Sequence, residues 1–328
     1  MNKSKDSITL MLYGTVDPVW GQELRKRIDD RVDLRLTFTA EQAEKYWPDT
    51  QVLFTWGRQI SHKQFLKAKA LKWIHSLSAG VDGLLFPELI ENDIVLTSSK
   101  GVHAVAMAHH TVALMLALVR RLDLFFRAQS SHKWIKAPED PPLSDLDHKT
   151  LAIVGLGETG TEVARIARAL GMKIIASRRH PSDEDLTVVD DIFTPDQIKE
   201  MLAEADIVVV SCPLTDETRG LFDRETFSSM KPRSFFINLS RGQVVDEAAM
   251  IEALNSKHLR GAGLDVFAEE PLPPESPLWD MDSVIITPHV AVDSGAIRAR
   301  ALDLAKENLH RYLAGQPLRN VVDKRLGY

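Results

Sequence analysis

The sequence predicts an α/β protein of two domains, in which a doubly wound parallel-sheet domain is inserted into a second α/β domain. Short apolar runs with strand character alternate with helical patterns along most of the chain. A glycine-rich turn between a strand and a helix, typical of a dinucleotide-binding unit, lies at residues 155–160, nearly halfway along the chain. The length of 328 residues is also more than one ordinary domain requires.

The first hundred residues contain five segments with strand character. These segments read ITLMLYG, VDLRLTF, QVLFTW, LKWIHSLS and IVLTSS, and helical patterns such as GQELRKRIDD lie between some of them. Because no glycine fingerprint occurs here, we expect an α/β domain that differs from the one that follows.

The segment from about His103 to Phe126 predicts one long helix. It is apolar nearly all round, which indicates burial against more than one partner. Its most apolar part, residues 104–119, is short for a bilayer span, carries two histidines and leads into two arginines, so we expect a buried helix and no membrane partner. A proline-rich stretch, KAPEDPPLSDL, then interrupts the pattern.

The residues after the glycine turn predict the parallel sheet. The strand segments DIVVVSCP, SFFINLS, GAGLDVF and SVIITPH alternate with helices such as DEAAMIEALNSK. The tail predicts an amphipathic helix that stops at Gly315. We expect residues 104–289 to form the dinucleotide-binding domain, and residues 1–103 with 290–328 to form a discontinuous substrate-binding domain. A cleft between domains is a common place for a small-molecule site.

Composition and charge exclude several classes of protein. A net charge of −6 and a pI near 6.0 argue against a general binder of nucleic acid or anionic membranes. The single cysteine, Cys212, excludes an intramolecular disulfide framework and is typical of a reducing compartment. The first residues resemble a polar tail and not a signal peptide, so we expect a cytoplasmic protein.

The glycine turn, GLGETG, predicts a dinucleotide site. Gly155 allows the tight turn, Gly157 allows close approach of a pyrophosphate, and Gly160 allows the helix to pack on the strand. The N–H groups at the start of the helix are then available to phosphate oxygens. A tight turn without a ligand is the alternative.

The end of the second strand predicts which dinucleotide is preferred. An acidic residue is expected there if the ribose 2′-hydroxyl is to be bound, but the chain has Ser177, Arg178 and Arg179. A guanidinium binds a 2′-phosphate, which a carboxylate would repel. We therefore expect NADP(H) to be preferred and NAD(H) to be possible; the alternative is that the arginines point into solvent.

Three loops after later strands carry groups capable of acid–base and anion chemistry. Arg241 lies in INLSRGQVVDE, three carboxylates lie in GLDVFAEEPLPPESPLW, and His289 lies in VIITPHVAV. Because ligands of doubly wound sheets bind at the carboxyl ends of the strands, we expect all three loops to face the cofactor.

These motifs together resemble the D-isomer-specific 2-hydroxyacid dehydrogenase family. The resemblance is carried by VGLGETG, by PLTDETRGLFDRETFSSMKPRSFFINLSRGQVVDEAAMIEAL, and by GAGLDVFAEEPLPPESPLW with ITPH. PLPPESPLW and the terminal VVDKRLGY are most similar to the NADPH-preferring glyoxylate/hydroxypyruvate reductase branch. The resemblance implies a Rossmann-type domain inserted into a flavodoxin-like substrate domain, a homodimer, and reduction of small 2-oxo acids to D-2-hydroxy acids.

The resemblance also implies the roles of the catalytic residues. Arg241 would hold the carboxylate and carbonyl oxygen of the 2-oxo acid, and His289 would donate a proton as hydride arrives. Glu270 would pair with His289; it is chosen over Glu269 because the family's acid directly precedes a proline. Asp265 would hold the nicotinamide carboxamide.

Further contacts follow from the same resemblance. Cofactor contacts are expected at Gly155, Gly157, Glu158, Thr159, Gly160, Ser177, Arg178, Arg179, Cys212, Pro213, Thr218, Leu239, Ser240, Asp265 and Ala291. The backbone N–H groups of Ala79, Gly80 and Val81 would bind the substrate carboxylate, as an anion nest does, and Trp56 with Gly57 would line the pocket. Trp134 is a second candidate for the pocket, and for both tryptophans packing in the core or at an interface is an equal alternative.

Other functions remain as alternatives. One is a dehydrogenase for a larger 2-oxo acid, and another is a non-catalytic cofactor sensor like the co-repressors that share this fold. A metal site is not expected, because the adjacent His109 and His110 point in different directions on a helix and have no carboxylate partner in sequence. Cys212 has no evident base and is not expected to be a nucleophile.

Overall fold

The computed structural model describes residues 7–14, 18–56, 60–139 and 142–327. It divides into two compact units, Met1–His103 with Ser294–Tyr328, and Ala104–Asp293. Each unit contains one parallel sheet. Residues 290–293, which the sequence assigned to the substrate-binding domain, lie in the second unit.

The first unit is a five-stranded parallel sheet covered by helices on both faces. Its strands are β1 (Ile8–Tyr13), β2 (Val32–Thr37), β3 (Val52–Thr55), β4 (Trp73–Ser76) and β5 (Val95–Ser98), and its helices are α1 (Pro18–Arg27), α2 (Ala40–Ala43), α3 (His62–Lys67), α4 (Pro87–Ile90) and the C-terminal helix Ile297–Leu313. The strand order, β2-β1-β3-β4-β5, is that of a flavodoxin-like sheet.

Alternate residues of β1 explain why both faces of this sheet are covered. Leu10 and Leu12 are buried in one apolar cluster with Leu302 of the C-terminal helix, whereas Met11 is buried in a second cluster on the other face. Successive side chains of a strand point to opposite faces, so a run without polar residues requires a layer on each side. Gly315, with φ of 65°, follows the C-terminal helix, as the sequence predicts.

The second unit is a seven-stranded, entirely parallel sheet. Its strands are β6 (Thr150–Val154), β7 (Lys173–Ser177), β8 (Asp191–Phe193), β9 (Ile207–Val210), β10 (Ser234–Asn238), β11 (Leu259–Leu264) and β12 (Val284–Ile286), and its helices are α5 (Ala104–Val119), α6 (Leu122–Ser130), α7 (Glu158–Ala169), α8 (Ile198–Glu204), α9 (Arg224–Ser229) and α10 (Glu247–Asn255). The order β12-β11-β10-β9-β6-β7-β8 reverses direction between β6 and β9. That reversal is where doubly wound sheets bind their ligands.

The prediction of one long helix between His103 and Phe126 is wrong, because the segment forms two helices, α5 and α6. They are bent by 75° at Arg121, which adopts a left-handed conformation with φ of 53°. The two helices also differ in burial, because α5 buries eight residues whereas α6 buries none. Leu122 and Phe126 of α6 are 37% and 60% exposed, which explains how an apolar pattern can continue beyond the buried helix.

Within the part of the chain that the structure describes, no single helix is long and apolar enough to cross a membrane, and only the bent pair α5 and α6 passes on combined length and composition.

Candidate active site

The glycine turn lies between β6 and α7, and its three glycines differ in what makes them necessary. A Cβ on Gly155, which has φ of 98°, would lie 2.7 Å from the backbone of Cys212, and a Cβ on Gly160 would lie 2.6 Å from the carbonyl oxygen of Gly155. A Cβ on Gly157 would meet nothing within 4 Å. The fold itself therefore requires Gly155 and Gly160, whereas the space beside Gly157 is open to a ligand.

The start of α7 fits a pyrophosphate in that space. Gly157 is the N-cap residue and supplies no side chain, so no side chain caps the first N–H groups of the helix. Glu158 is exposed at the first turn, and the Thr159 hydroxyl donates only to the sulfur of Met107 at 3.7 Å, a weak contact that leaves its proton available to a phosphate oxygen.

The end of β7 carries the residues expected to choose the dinucleotide. Ser177 is buried, and its carbonyl oxygen accepts from the N–H of Gly155 at 3.1 Å, so this strand end lies against the glycine turn. Arg178 is ion-paired with Asp185, and Arg179 is ion-paired with Glu217. The arginines are thus held by carboxylates of their own unit, in contrast to the alternative in which they only point into solvent.

Asp185 holds Arg178 as a charged anchor. Burial alone would raise the pKa of the Asp185 carboxyl, but hydrogen bonds from Ser182 and Arg178 outweigh burial and lower this pKa below its ordinary value. Because a guanidinium has five N–H donors, one ion pair leaves donors for a second anion.

The remaining predicted cofactor residues also follow the carboxyl ends of strands. Cys212, Pro213 and Thr218 lie after β9, Leu239 and Ser240 after β10, and Ala291 after β12. The Thr218 hydroxyl donates to the Pro213 carbonyl oxygen at 2.7 Å and so closes the loop after β9. Burial raises the pKa of the Cys212 thiol to about 12, which argues against nucleophilic chemistry at this sulfur.

The structure brings His289 and Glu270 together. His289 Nδ1 lies 2.8 Å from Glu270 Oε2, and the other carboxylate oxygen accepts from the Phe267 N–H at 3.1 Å. An ionised carboxylate only accepts, so Nδ1 carries a proton and Nε2 is the atom left for chemistry. Within the described residues Nε2 has no hydrogen-bond partner, and the side chain is 35% exposed.

Arg241 lies in the loop between β10 and α10. Its Nη1 donates to the Ser240 carbonyl oxygen at 2.8 Å, which bends the side chain back over its own loop. A Cβ on Gly242 would lie 1.9 Å from the carbonyl carbon of Phe267, so this loop packs directly on the backbone of the loop that carries Glu270. Because β10, β11 and β12 are neighbours in the sheet, the three catalytic candidates all follow the same sheet edge.

Asp265 has protein partners that the sequence did not reveal. The residue is 1% exposed; its Oδ1 accepts from the Thr287 hydroxyl at 2.6 Å and the Val290 N–H at 3.0 Å, and its Oδ2 accepts from the Ala291 N–H at 2.9 Å. Asp265 therefore anchors the backbone that follows His289 and the Thr287 side chain that precedes it. A role in holding the nicotinamide carboxamide, expected from the resemblance, would have to share these occupied oxygens.

Sequence reasoning missed two residues near this anchor. His110 Nε2 lies 3.0 Å from the Thr287 hydroxyl, across 177 positions of sequence. Thr287 directly precedes the Pro-His pair of the quoted ITPH motif, which was the available signal for it. Within the described residues, no group of three or more His, Cys, Asp or Glu side chains could hold a metal ion.

The substrate residues expected in the first unit lie on loops after β3 and β4. Trp56 is partly buried against an apolar cluster of that unit, which favours the packing alternative, and Gly57 lies outside the described residues. The N–H groups of Ala79, Gly80 and Val81 donate to no acceptor among the described residues. Three consecutive amides without acceptors are the donor set of an anion nest.

Comparison with known proteins agrees with this arrangement of the second unit. The family model described as "D-isomer specific 2-hydroxyacid dehydrogenase, NAD binding domain" matches residues 112–291. The chain belongs to the D-isomer-specific 2-hydroxyacid dehydrogenase family. This 2-hydroxyacid dehydrogenase is therefore an enzyme, and its second unit is an NAD(P)-binding domain.

Relatives of this 2-hydroxyacid dehydrogenase match between 78% and 98% of its length. A glyoxylate reductase of Thermofilum pendens is 35% identical over 260 residues, which cover 78% of this chain and 76% of that protein. A D-isomer specific 2-hydroxyacid dehydrogenase from Xanthobacter autotrophicus Py2, crystallised with NADPH and MES, is 34% identical with a TM-score of 0.85 and covers 98% of this chain and 100% of that chain.

A third relative agrees with both. An NADPH-dependent glyoxylate/hydroxypyruvate reductase from Sinorhizobium meliloti, crystallised with NADP and sulfate, is 27% identical with a TM-score of 0.84 and covers 98% of this chain and 100% of that chain. The fold class and the family that the sequence predicts for the 2-hydroxyacid dehydrogenase are confirmed.

Proposed function

We propose that this enzyme uses NADPH to reduce small 2-oxo acids, glyoxylate and hydroxypyruvate foremost, to D-2-hydroxy acids. The observation that carries the proposal is the pairing of His289 with Glu270 at 2.8 Å, on the same sheet edge as Arg241. Relatives described as glyoxylate reductase and hydroxypyruvate reductase support the substrate class.

The proposed reaction adds a hydride and a proton across the carbonyl group of the 2-oxo acid. The bound dinucleotide supplies the hydride. Glu270 accepts the Nδ1 proton of His289 in a hydrogen bond and favours the imidazolium, whose Nε2 proton passes to the carbonyl oxygen. Arg241 holds the substrate carboxylate and polarises the carbonyl group. In the reverse direction, neutral His289 accepts the proton.

The nest at Ala79, Gly80 and Val81 is proposed to bind the substrate carboxylate. Its support is the absence of acceptors for the three N–H groups within the described residues. The hydroxyl of Ser78 donates to the Gly80 carbonyl oxygen at 2.9 Å, which fixes the peptide plane that carries the Val81 N–H.

The test is the loss of NADPH absorbance on addition of glyoxylate, hydroxypyruvate and a series of larger 2-oxo acids. We expect the two small acids to give the highest kcat/KM, and a larger apolar acid as the best substrate would contradict the proposal. In His289→Asn we expect kcat to fall by about a hundredfold or more, since general acid catalysis is lost, while NADPH binding followed by fluorescence is retained.

The NADPH preference is proposed to rest on Arg178 and Arg179. In Arg178→Asp, the introduced carboxylate repels a 2′-phosphate, so we expect the ratio of kcat/KM for NADPH over NADH to fall by at least about tenfold. Arg165→Ala is the matched control, because this arginine pairs with Glu162 on the exposed face of α7. An unchanged ratio in Arg178→Asp would refute the assignment.

We also propose that the enzyme is a homodimer. Trp134 is 100% exposed and Phe126 is 60% exposed. Trp134 lines a groove together with the apolar residues Phe125, Ala128 and Ile135 and the polar residues Gln129, His132 and Lys133. Exposed apolar surface of this kind is typical of an association surface between copies. Light scattering during size-exclusion chromatography is expected to give twice the chain mass, and a monomer would contradict the proposal.

A further inference from the structure

His110 is a polar residue in an otherwise largely apolar helix, α5, and the proposed function leaves it without a role. Its side chain is 23% exposed, and its Nε2 lies 3.0 Å from the Thr287 hydroxyl and 3.7 Å from the Asp265 carboxylate. The His110 imidazole thus contacts the loop that carries His289, at Thr287, which lies two positions before His289.

The direction of each hydrogen bond in this group is determined by chemistry. An ionised Asp265 only accepts, so the Thr287 hydroxyl donates its single proton to Asp265 Oδ1 at 2.6 Å. The Thr287 oxygen can then only accept from His110, which must carry its proton on Nε2. The chain of donors therefore runs in one direction, from His110 through Thr287 to Asp265.

The end of this chain determines the backbone around His289. Asp265 accepts from the N–H groups of Val290 and Ala291, the two residues that follow His289. His289 itself has φ of 54°, a conformation that a residue with a side chain rarely adopts without support from its surroundings. Because Asp265 binds the two backbone N–H groups that follow His289, a movement of its carboxylate would displace the backbone that carries the imidazole.

We propose that His110 is a positioning residue for His289, acting through Thr287 and Asp265. The inference rests on the proposed function in one respect, that His289 is the proton donor. His110 touches neither cofactor nor substrate in this proposal; it keeps the donor chain complete, and the chain keeps the imidazole aligned.

Turnover kinetics test the proposal with three variants. His110→Leu removes the donor, and we expect kcat to fall by about tenfold, because misplacing a catalytic group by a fraction of an ångström is costly. The KM for the 2-oxo acid and the Kd for NADPH are expected to change less than about twofold. His110→Gln offers an amide N–H and is expected to restore most of kcat, whereas His109→Leu, at the exposed neighbour, is the control and should match the wild type.

Thr287→Val provides an independent route to the same conclusion if His110→Leu folds poorly. It removes the hydroxyl with little change in shape, so it should lower kcat as His110→Leu does. Because both residues belong to the same series of hydrogen bonds, we expect kcat of the double variant to be little lower than kcat of either single variant. Additive losses, or equal losses in His110→Leu and His110→Gln, would overturn the proposal.

Histidine NMR separates this inference from the proposed function. In histidine-labelled enzyme without substrate, the His289 Cε1–H signal is assigned by its loss in His289→Gln. We expect His110→Leu to shift that signal and His110→Gln to leave it in place, whatever substrate the enzyme prefers. A signal unmoved by His110→Leu overturns the positioning role, whereas failure of every 2-oxo acid to be reduced overturns only the proposed function.

Discussion

Glu270 shows how a single side chain is fixed at both of its oxygens. Oε2 lies 2.8 Å from His289 Nδ1, and Oε1 accepts the Phe267 N–H at 3.1 Å. The second bond matters because it stops the carboxylate from rotating, so the orientation of the imidazole is fixed as well. Glu269, next to it in sequence, is exposed and has no such pair of bonds among the described residues.

Replacing Glu270 is therefore expected to impair reduction. Glu270→Gln keeps a group of the same shape but removes the anion that favours the imidazolium, and we expect kcat for 2-oxo acid reduction to fall by about tenfold or more. Steady-state kinetics at neutral pH measures the effect, with NADPH binding as the check on folding. Glu269→Gln is the matched control. An equal loss of kcat in both variants would show that Glu270 is not the specific partner of His289.

The family's Glu-Pro order selects Glu270 from these adjacent carboxylates, and Glu270 is the one that lies against His289. The partners of Asp265 could not be chosen in the same way. They are a hydroxyl and two backbone N–H groups that lie 22 to 26 positions away, and a backbone amide leaves no mark on a sequence pattern.

At the scale of elements, the glycine turn separates what the fold needs from what a ligand needs. Gly155 and Gly160 have no room for a Cβ, but Gly157 has open space around it. No neighbour among the described residues requires glycine at position 157, whereas a phosphate group close to the backbone would require it.

Two alanine substitutions in this turn are expected to behave differently. Gly157→Ala should leave the melting temperature nearly unchanged and weaken NADPH binding by about tenfold or more, since a methyl group would occupy the phosphate space. Gly160→Ala should lower the melting temperature, because its Cβ would lie 2.6 Å from a carbonyl oxygen. Thermal unfolding with and without NADPH measures both. A large loss of stability in Gly157→Ala would show that the fold, and not the ligand, requires this glycine.

Most strands could be predicted because each is an apolar run that a parallel sheet buries on both faces, as Ile207–Val210 illustrates. Two features of the fold could not be predicted in this way. Strand β8, Asp191–Phe193, is three residues long with an exposed aspartate, too short to show a pattern. The bend between α5 and α6 depends on the left-handed conformation of Arg121, and arginine ordinarily favours a continuous helix.

For the whole molecule, buried and paired groups make stability decrease as the pH falls on the acid side of neutrality. His75 is 0% exposed, its Nδ1 lies 2.7 Å from the Thr97 hydroxyl, and burial lowers its pKa from 6.5 to about 3. Below pH 6.5 the unfolded chain protonates this imidazole and the folded protein does not. The free energy of unfolding therefore decreases as the pH falls from about 6.5 towards 3.

Hydrogen-bonded carboxyls add to this effect at lower pH. Hydrogen bonds from Thr226 lower the pKa of Asp223, and Asp185 is lowered as described above. A carboxyl with a lowered pKa contributes stability that is lost as the pH falls through its pKa in the folded state. These carboxyls therefore begin to lower the free energy of unfolding at a lower pH than His75, which begins to do so near pH 6.5.

Replacing His75 is expected to flatten the upper part of this pH dependence. In the wild type, uptake of one proton by His75 on unfolding lowers the folding equilibrium constant by about tenfold for each pH unit between pH 6 and 5. In His75→Asn this contribution disappears, so we expect the equilibrium constant to fall less steeply over the same range. Denaturant unfolding at several pH values measures the slope. His148→Asn, at a histidine whose side chain is 92% exposed, is the control. An identical slope in His75→Asn and the wild type would show that this imidazole is not neutral in the folded protein.

The burial of Cys212 has a practical consequence for spectroscopy. It is the one cysteine of the chain, and its thiol, with a pKa of about 12, is almost entirely protonated near neutrality. Maleimide reagents attack thiolates, so a cysteine introduced at an exposed position such as Lys257 would be the thiol that couples. A fluorescent dye or spin label could then be attached at one chosen place without first engineering a cysteine-free background.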